Sequence, residues 1–255
     1  MENPGKIKKL KPGTKRVDEF AFQVGKTEPF IDSFKAFLKA SFTLLVACEC
    51  LICGRPVSDA NCDGGLRICE TCWSEIEHKP SPVPYRIKNL EVFYYGFYEE
   101  RLRDLVLAFK FGKHPGLSKV LAKFLMKVVH EHGIDYDFVT FVPATRTSRR
   151  KRGFDHMALV AREFSKVAGK EFFKLLKTAR ETDQLLANDR REAVRGKFVI
   201  EELIPDRIYT VLDSKTVLLI DDVLTSGNTM EECLRILKKG FPKTRFLPLV
   251  VAVKR

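Results

Sequence analysis

Val217-Leu218-Leu219-Ile220-Asp221-Asp222-Val223-Leu224-Thr225-Ser226-Gly227-Asn228-Thr229 is an apolar run, an acid pair, and then a loop of small and hydroxyl residues. An unbroken apolar run of this kind reads as a strand buried on both faces, as in a parallel sheet. The acid pair is then expected at its carboxyl end. Downstream, Met230, Cys233, Leu234 and Leu237 recur at helical spacing. Glu231 and Glu232 fall in the first turn of that helix, Lys238 and Lys239 in its last, and Gly240 is expected as its C-cap. A strand, a tight loop and a helix in this order can hold an anion. Backbone N–H groups and hydroxyls from Thr225 to Thr229 would face a phosphate at the helix N-terminus. Asp221 and Asp222 beside it suit two vicinal hydroxyls with a Mg²⁺ nearby. Open α/β sheets bind ligands at the carboxyl ends of their strands. A phosphate flanked by a diol describes a ribose 5-phosphate. The plain alternative is an ordinary strand-to-helix turn capped by Asp222. The stretch has no Gly-Lys-Ser/Thr, so a nucleoside-triphosphatase loop is not supported.

The 255 residues allow one substantial core and a small satellite. Apolar residues make up 45%, a globular rather than a disordered composition. The formal charge of +12 favours anionic partners, whether phosphorylated metabolites, nucleic acid or an anionic surface, without choosing among them. Met1 to Val17 is basic and lacks an apolar core, so no secretory signal is expected there. The most apolar stretch, Phe30 to Val46, is interrupted by Asp32, Lys35 and Lys39 and is too short to span a bilayer. The expected location is therefore cytoplasmic, without membrane insertion.

Seven cysteines in such a chain read as metal ligands rather than disulfides. Cys50-Leu51-Ile52-Cys53 and Cys69-Glu70-Thr71-Cys72 are separated by 15 residues. Each pair offers two thiolates from one knuckle, and four satisfy a tetrahedral Zn²⁺ with no open position. The metal is thus expected to be structural, holding a segment too small for its own core. Cys48 and Cys62 are left over, and Cys233 reads as a core residue of the last helix. Ahead of this module, residues 1–29 form a basic arm, either a solvated tail or an electrostatic tether to nucleic acid. Phe30, Phe34, Phe37, Leu38, Phe42 and Leu45 outline an amphipathic helix within a region 30–84 that includes the zinc module. Pro80, Pro82 and Pro84 mark the way out. Residues 85–255 then form the main domain.

In that domain Val92 to Phe97 is strand-like. Leu102 to Phe109 and Leu117 to Val129 carry helical stripes, and Phe138 to Val142 reads as a buried strand. Pro143-Ala144-Thr145-Arg146 is expected as a loop, followed by Arg149-Arg150-Lys151-Arg152-Gly153-Phe154-Asp155-His156 and a helix from Met157 to Val167. A dense basic cluster between strand and helix suits pyrophosphate, with nucleic acid or a solvated loop as alternatives. Ala144, Thr145, Arg146, Arg149 and Arg150 are its candidate ligands. Phe172 to Leu176 is expected as a short strand, Thr178 to Gly196 as a long polar loop of the lid type, and Phe246 to Val253 as the last strand. Alternation of strands and helices from Phe138 onward gives a parallel sheet.

The opening stretch resembles the PRPP-binding signature of type I phosphoribosyltransferases: hydrophobic strand, two acids, two hydrophobics, Thr-Ser-Gly-x-Thr. From about Phe34 to the end the chain resembles the competence protein F (ComF) family of phosphoribosyltransferase-like proteins. The resemblance rests on Cys-x-x-Cys-Gly and Cys-x-x-Cys-Trp, the Arg-x-Leu…Phe-Lys-Phe-Gly run from Arg101 to Gly112, the Val-Pro at 142–143, Arg-Arg-x-Arg-Gly-Phe at 149–154, Val-Arg-Gly-Lys-Phe at 194–198, and their order. Where that family often has Asn-Gln after Gly-Phe, this chain has Asp155-His156. The resemblance implies an α/β fold, a type I phosphoribosyltransferase-like parallel sheet flanked by helices, with a small N-terminal zinc-ribbon-like module. It also implies a PRPP or ribose-phosphate ligand with Mg²⁺. Asp221 and Asp222 would hold the ribose diol, Thr225, Ser226, Gly227, Asn228 and Thr229 the 5-phosphate, and the loop at Pro143–Arg146 the pyrophosphate. Transfer of a phosphoribosyl group, linked to DNA uptake in natural transformation, is the implied role. A non-catalytic PRPP or nucleotide sensor that binds single-stranded DNA or DNA-uptake proteins is the alternative. Transcriptional regulation is a third reading, without a recognition helix to support it.

Overall fold

The computed structural model describes residues 49–57, 67–78, 80–81, 83–112, 114–179 and 196–255. The basic arm, the helix expected over Phe30–Leu45, Cys48, Cys62 and residues 180–195 of the lid-type segment lie outside the described residues.

Helix α1 (Glu70–Ile76) starts on Cys69. Strands β1 (Tyr85–Ile87) and β2 (Leu90–Phe97) form an antiparallel hairpin, followed by α2 (Glu100–Phe111), a 3-10 turn at Pro115–Leu117 and α3 (Ser118–Glu131). Next come β3 (Phe138–Phe141), α4 (Arg146–Arg152), α5 (His156–Ala168), β4 (Leu176–Thr178), β5 (Phe198–Ile200) and α6 (Asp206–Leu212). Strand β6 (Thr216–Leu224), α7 (Asn228–Gly240) and β7 (Arg245–Val253) complete the chain. The main sheet has the order β1-β2-β7-β6-β3. β2, β7, β6 and β3 run parallel, and β1 is an antiparallel edge. β4 and β5 pair antiparallel in a separate ribbon.

Strand β6 is central because it is apolar on both faces. Leu218 and Ile220 pack with Phe109, Leu121 and Phe164 of α2, α3 and α5. Val217 and Leu219 pack with Leu212, Met230, Cys233 and Leu237 of α6 and α7. Helices on both faces of a mostly parallel sheet are the α/β arrangement that the alternation implied. Cys50, Ile68, Cys72 and Ile76 belong to the same core as Tyr95, Leu121 and Phe124, so the cysteine segment packs on the domain. Among the described residues no helix is long and apolar enough to cross a membrane.

The structure departs from the sequence reading in local detail. β6 does not stop before the acid pair but continues to Leu224, because β7 supplies partners opposite Asp221, Val223 and Leu224. The basic cluster is helical: Thr145 accepts a hydrogen bond from the Ser148 N–H and starts α4. Phe172 makes only an isolated bridge to Val139, and the strand begins four residues past it, over Leu176–Thr178 against β5. α6 was not foreseen, since only Ile208 and Leu212 of its seven residues are buried. Gly240 is the last helical residue rather than a left-handed cap. A Cβ there would lie 2.9 Å from Ile200, so glycine serves close approach of β5.

Candidate functional site

Side chains on a strand alternate between its faces. On β6 this sends Asp222 to the side of Leu218 and Ile220, beneath α2 and α5, and Asp221 to the other side. Asp222 is buried. Lys110 Nζ, from the end of α2, is 2.8 Å from its Oδ1. Nε2 of His156, the first residue of α5, is 2.5 Å from its Oδ2. The other ring nitrogen, Nδ1, is 2.8 Å from Arg152 Nη1. A guanidinium only donates, so Nδ1 accepts and the proton sits on Nε2, which donates to Asp222. Burial opposes ionisation of Asp222, but Lys110 and then His156 outweigh it and hold the carboxyl well below the usual range. Asp221 is half-buried, and its Oδ1 accepts the Asp222 N–H at 2.9 Å. Burial first, and the charge of Asp222 second, hold it above the usual carboxylate range.

The five loop residues stay together at the start of α7. Thr225 and Ser226 are exposed, Gly227 is buried, and Asn228 and Thr229 are half-buried. Gly227 has φ +78°, a left-handed conformation that favours glycine. The β1–β2 hairpin walls this loop. A Cβ on Gly227 would touch Ile87 at 3.4 Å and Leu90 at 3.5 Å. From the hairpin tip, Lys88 Nζ donates to Asn228 Oδ1 at 2.5 Å and pairs with Glu231 at 2.9 Å. The loop is thus bounded by a cation that no local pattern announces.

The residues expected to take pyrophosphate divide. Ala144 is buried, and its N–H donates to Asp155 Oδ2 at 3.1 Å. Asp155 also caps α5 through the Ala158 N–H. Thr145 is used by α4 as its cap. Arg146, Arg149 and Arg150 are exposed and, with Gly153, Phe154 and Asp155, line an open cleft of about 610 Å³. Arg152 turns the other way, toward His156, with its guanidinium 5.4 Å from the Phe111 ring centroid. Lys88, Lys110, Arg152 and His156 are therefore the site residues that sequence reasoning missed. The contacts of Lys88, Lys110 and His156 reach across the fold; Arg152 and His156 stood in the basic cluster, and Lys110 in a family motif, without a role assigned to any of them.

The Sγ atoms of Cys50, Cys53, Cys69 and Cys72 all lie within 4.8 Å of one another. Cys53 and Cys69 are 3.7 Å apart. Four sulfurs at about 2.3 Å from a tetrahedral Zn²⁺ stand about 3.8 Å apart, so the donor set fits such an ion. A backbone hydrogen bond from Arg55 is the main cause that lowers the Cys53 thiol to about 6, toward the thiolate a metal needs. Burial pushes Cys72 up. Trp73, beside this cluster, packs against Phe124 of α3 with centroids 6.1 Å apart.

Comparison with known proteins adds a family. The model described as phosphoribosyl transferase domain matches residues 120–253. Competence protein F of Haemophilus influenzae is 24% identical over 184 residues, covering 67% of this chain and 78% of that protein. Adenine phosphoribosyltransferase from Saccharomyces cerevisiae aligns over 72% of this chain and 89% of its own, at 13% identity and a TM-score of 0.38. The allosteric regulatory enzyme of purine biosynthesis aligns over 53% of this chain at 20% identity and a TM-score of 0.32, and this chain spans only 25% of that longer one.

Proposed function

The chain belongs to the phosphoribosyl transferase domain family, and from that premise we propose that it binds PRPP with Mg²⁺ and transfers its phosphoribosyl group. The observation that carries this reading is the union of Asp221, the Thr225–Thr229 loop and the N-terminus of α7 at the carboxyl end of a central parallel strand. The half-buried carboxylate of Asp221 takes the ribose hydroxyls, and Asp222 braces it from the strand. The loop hydroxyls and N–H groups of Thr225, Ser226, Gly227, Asn228 and Thr229 take the 5-phosphate. Arg146, Arg149 and Arg150, on the cleft beside Ala144 and Thr145, take the pyrophosphate.

Transfer breaks the bond from the anomeric carbon to pyrophosphate and forms one to a nitrogen nucleophile, through an oxocarbenium-like transition state. The negative charge of the acid pair, carried by Asp222, stabilises that cation, and the arginines neutralise the departing oxygens. Mg²⁺ fits here because it needs few protein oxygens when it also holds phosphates, and Asp221 offers one; bound, it would neutralise the leaving group. The four cysteines hold a structural Zn²⁺ in this reading. The name of the Haemophilus influenzae relative extends the proposal to competence, and the family resemblance extends it to DNA uptake.

Binding without turnover, in an adaptor that also holds single-stranded DNA, is the competing reading. It draws on the exposure of Arg146, Arg149, Arg150 and Lys151, which suits any polyanion. Mg²⁺–PRPP at about 100 times Kd would add about 2.7 kcal/mol of stability. That raises the unfolding temperature by roughly 5–10 °C. A folded chain whose unfolding temperature ignores PRPP refutes the proposal. Pyrophosphate release over a panel of nucleobases separates the transferase from the adaptor.

A further inference from the structure

The two carboxylates of the pair do not have the same surroundings. Asp221 is half-buried on the α7 side of β6 and uses one oxygen on its neighbour's backbone. Asp222 is buried with each oxygen occupied, one by Lys110 and one by His156. His156 in turn accepts from Arg152, the last residue of the basic helix whose Arg146, Arg149 and Arg150 line the cleft. The imidazole thus joins the carboxyl end of β6 to the C-terminal end of α4, and Arg152 is also held against Phe111. The neighbouring Asp155 makes a second tie on the same corner, through the Ala144 N–H. A neutral ring that donates from one nitrogen and accepts at the other transmits orientation in both directions, since rotating it breaks both bonds.

We infer that His156 is a positioning residue that couples the two halves of the site: it fixes the basic helix, which meets the pyrophosphate end of the ligand, to the strand whose Asp221 meets the ribose. Asp222 is the internal anchor of this coupling rather than a ligand-facing acid. Lys110 holds the anchor from the other side. The inference rests on the ribose-phosphate reading for its ligand, but the relay itself does not.

A coupling residue has a signature that a merely structural one lacks. It matters more for a ligand that spans both halves than for either half alone. Leucine at 156 keeps the bulk and removes both hydrogen bonds. Glutamine keeps them, because its amide donates and its carbonyl accepts. Titration calorimetry on the full chain with Mg²⁺ compares PRPP, ribose 5-phosphate and inorganic pyrophosphate. H156L is expected to weaken PRPP about tenfold while the two fragments each change by less than about twofold, and H156Q to recover PRPP to within about twofold. Should H156L fail to fold, R152M removes the far end of the relay and is expected to behave as H156L does. Equal loss for all three ligands, or H156Q behaving as H156L, overturns the coupling. Nitrogen-15 spectra of histidine-labelled full chain supply a ligand-free arm. They are expected to show one ring protonated at Nε2 and not at Nδ1, absent in H156Q; protonation at Nδ1 overturns the relay. A chain that binds none of the three ligands overturns the ribose-phosphate reading and the coupling with it, while the spectra still decide the relay.

Discussion

Replacing Lys110 by methionine keeps the aliphatic stem and removes the charge nearest Asp222. The contact is short, 2.8 Å, and both partners are largely buried, with side chains 19% and 7% exposed. Solvent screening therefore reduces it little. Breaking a buried pair from one side costs about 3–5 kcal/mol, because an uncompensated charge is left behind. His156 still donates to the other oxygen, which puts the loss near the lower end, about 3 kcal/mol. With a urea slope of about 3 kcal/mol/M, the midpoint falls by roughly 1 M. The pH dependence follows from the direction of the Asp222 shift. Its folded-state pKa lies below the unfolded value of about 4. The stability it contributes is therefore complete above that value and disappears as pH falls through the folded one. In Lys110→Met burial prevails and the carboxyl protonates more easily. The gap between the two proteins is then widest at neutral pH and narrows in acid. Urea unfolding from pH 7 down to pH 4 measures both. A gap below about 1 kcal/mol, or one that does not change with pH, would refute the assignment of Asp222 as a buried anion clamped by Lys110.

Gly227→Ala forces a left-handed φ of +78° on a residue with a Cβ, while its contacts at 3.4 and 3.5 Å are ordinary. Backbone strain of about 1–2 kcal/mol should lower the unfolding temperature by roughly 3–6 °C, and an unchanged scan would show that the loop relaxes. Tyr95 donates to the Ile76 carbonyl at 2.9 Å, accepts from the His78 N–H at 3.0 Å and stacks on Phe124 at 4.1 Å. Tyr95→Phe leaves the His78 N–H without this partner, while the Ile76 carbonyl keeps its 2.8 Å contact with His78 Nδ1, and should cost about 1–3 kcal/mol in urea unfolding, whereas a neutral effect would mean that water replaces the hydroxyl. Metal analysis should find one Zn²⁺ per chain, lost in Cys72→Ser. Because Cys50 and Cys72 sit in the main core, a chelator should destabilise the whole domain, not only its first residues. Unfolding that is indifferent to chelation would remove the metal from the account.

Legibility in the sequence followed the range of the interactions. α2, α3 and α7 could be read because their burial repeats every three to four residues, and β6 and β7 because they are nearly continuous apolar runs; neither signal needs knowledge of what lies opposite. The Thr225–Thr229 loop was readable for the same reason, its residues being neighbours in the chain. The cysteine cluster was readable from spacing, since each knuckle is local. The partners of Asp222 were not, because Lys110 and His156 reach it only after α2 and α5 have packed on one face of β6. Lys88 lies 140 positions from Asn228 and belongs to a hairpin whose first strand has three residues, too few for a period. The acids were expected beyond the strand, and they lie within it because β7 is long enough to pair with them, a property of the partner strand. The basic cluster showed its charge but not its division: Arg146, Arg149 and Arg150 face a cleft, and Arg152 faces inward.

The claim on which the rest depends is that the end of β6 and the start of α7 hold a ribose phosphate. Calorimetry of PRPP into the full chain, with Mg²⁺ and with chelator, tests it most directly, alongside the double variant Asp221→Asn/Asp222→Asn. Heat that saturates at one PRPP per chain, requires Mg²⁺ and vanishes in the double variant is the expected result. No heat from a folded chain, or binding that survives the loss of both carboxylates, would contradict it.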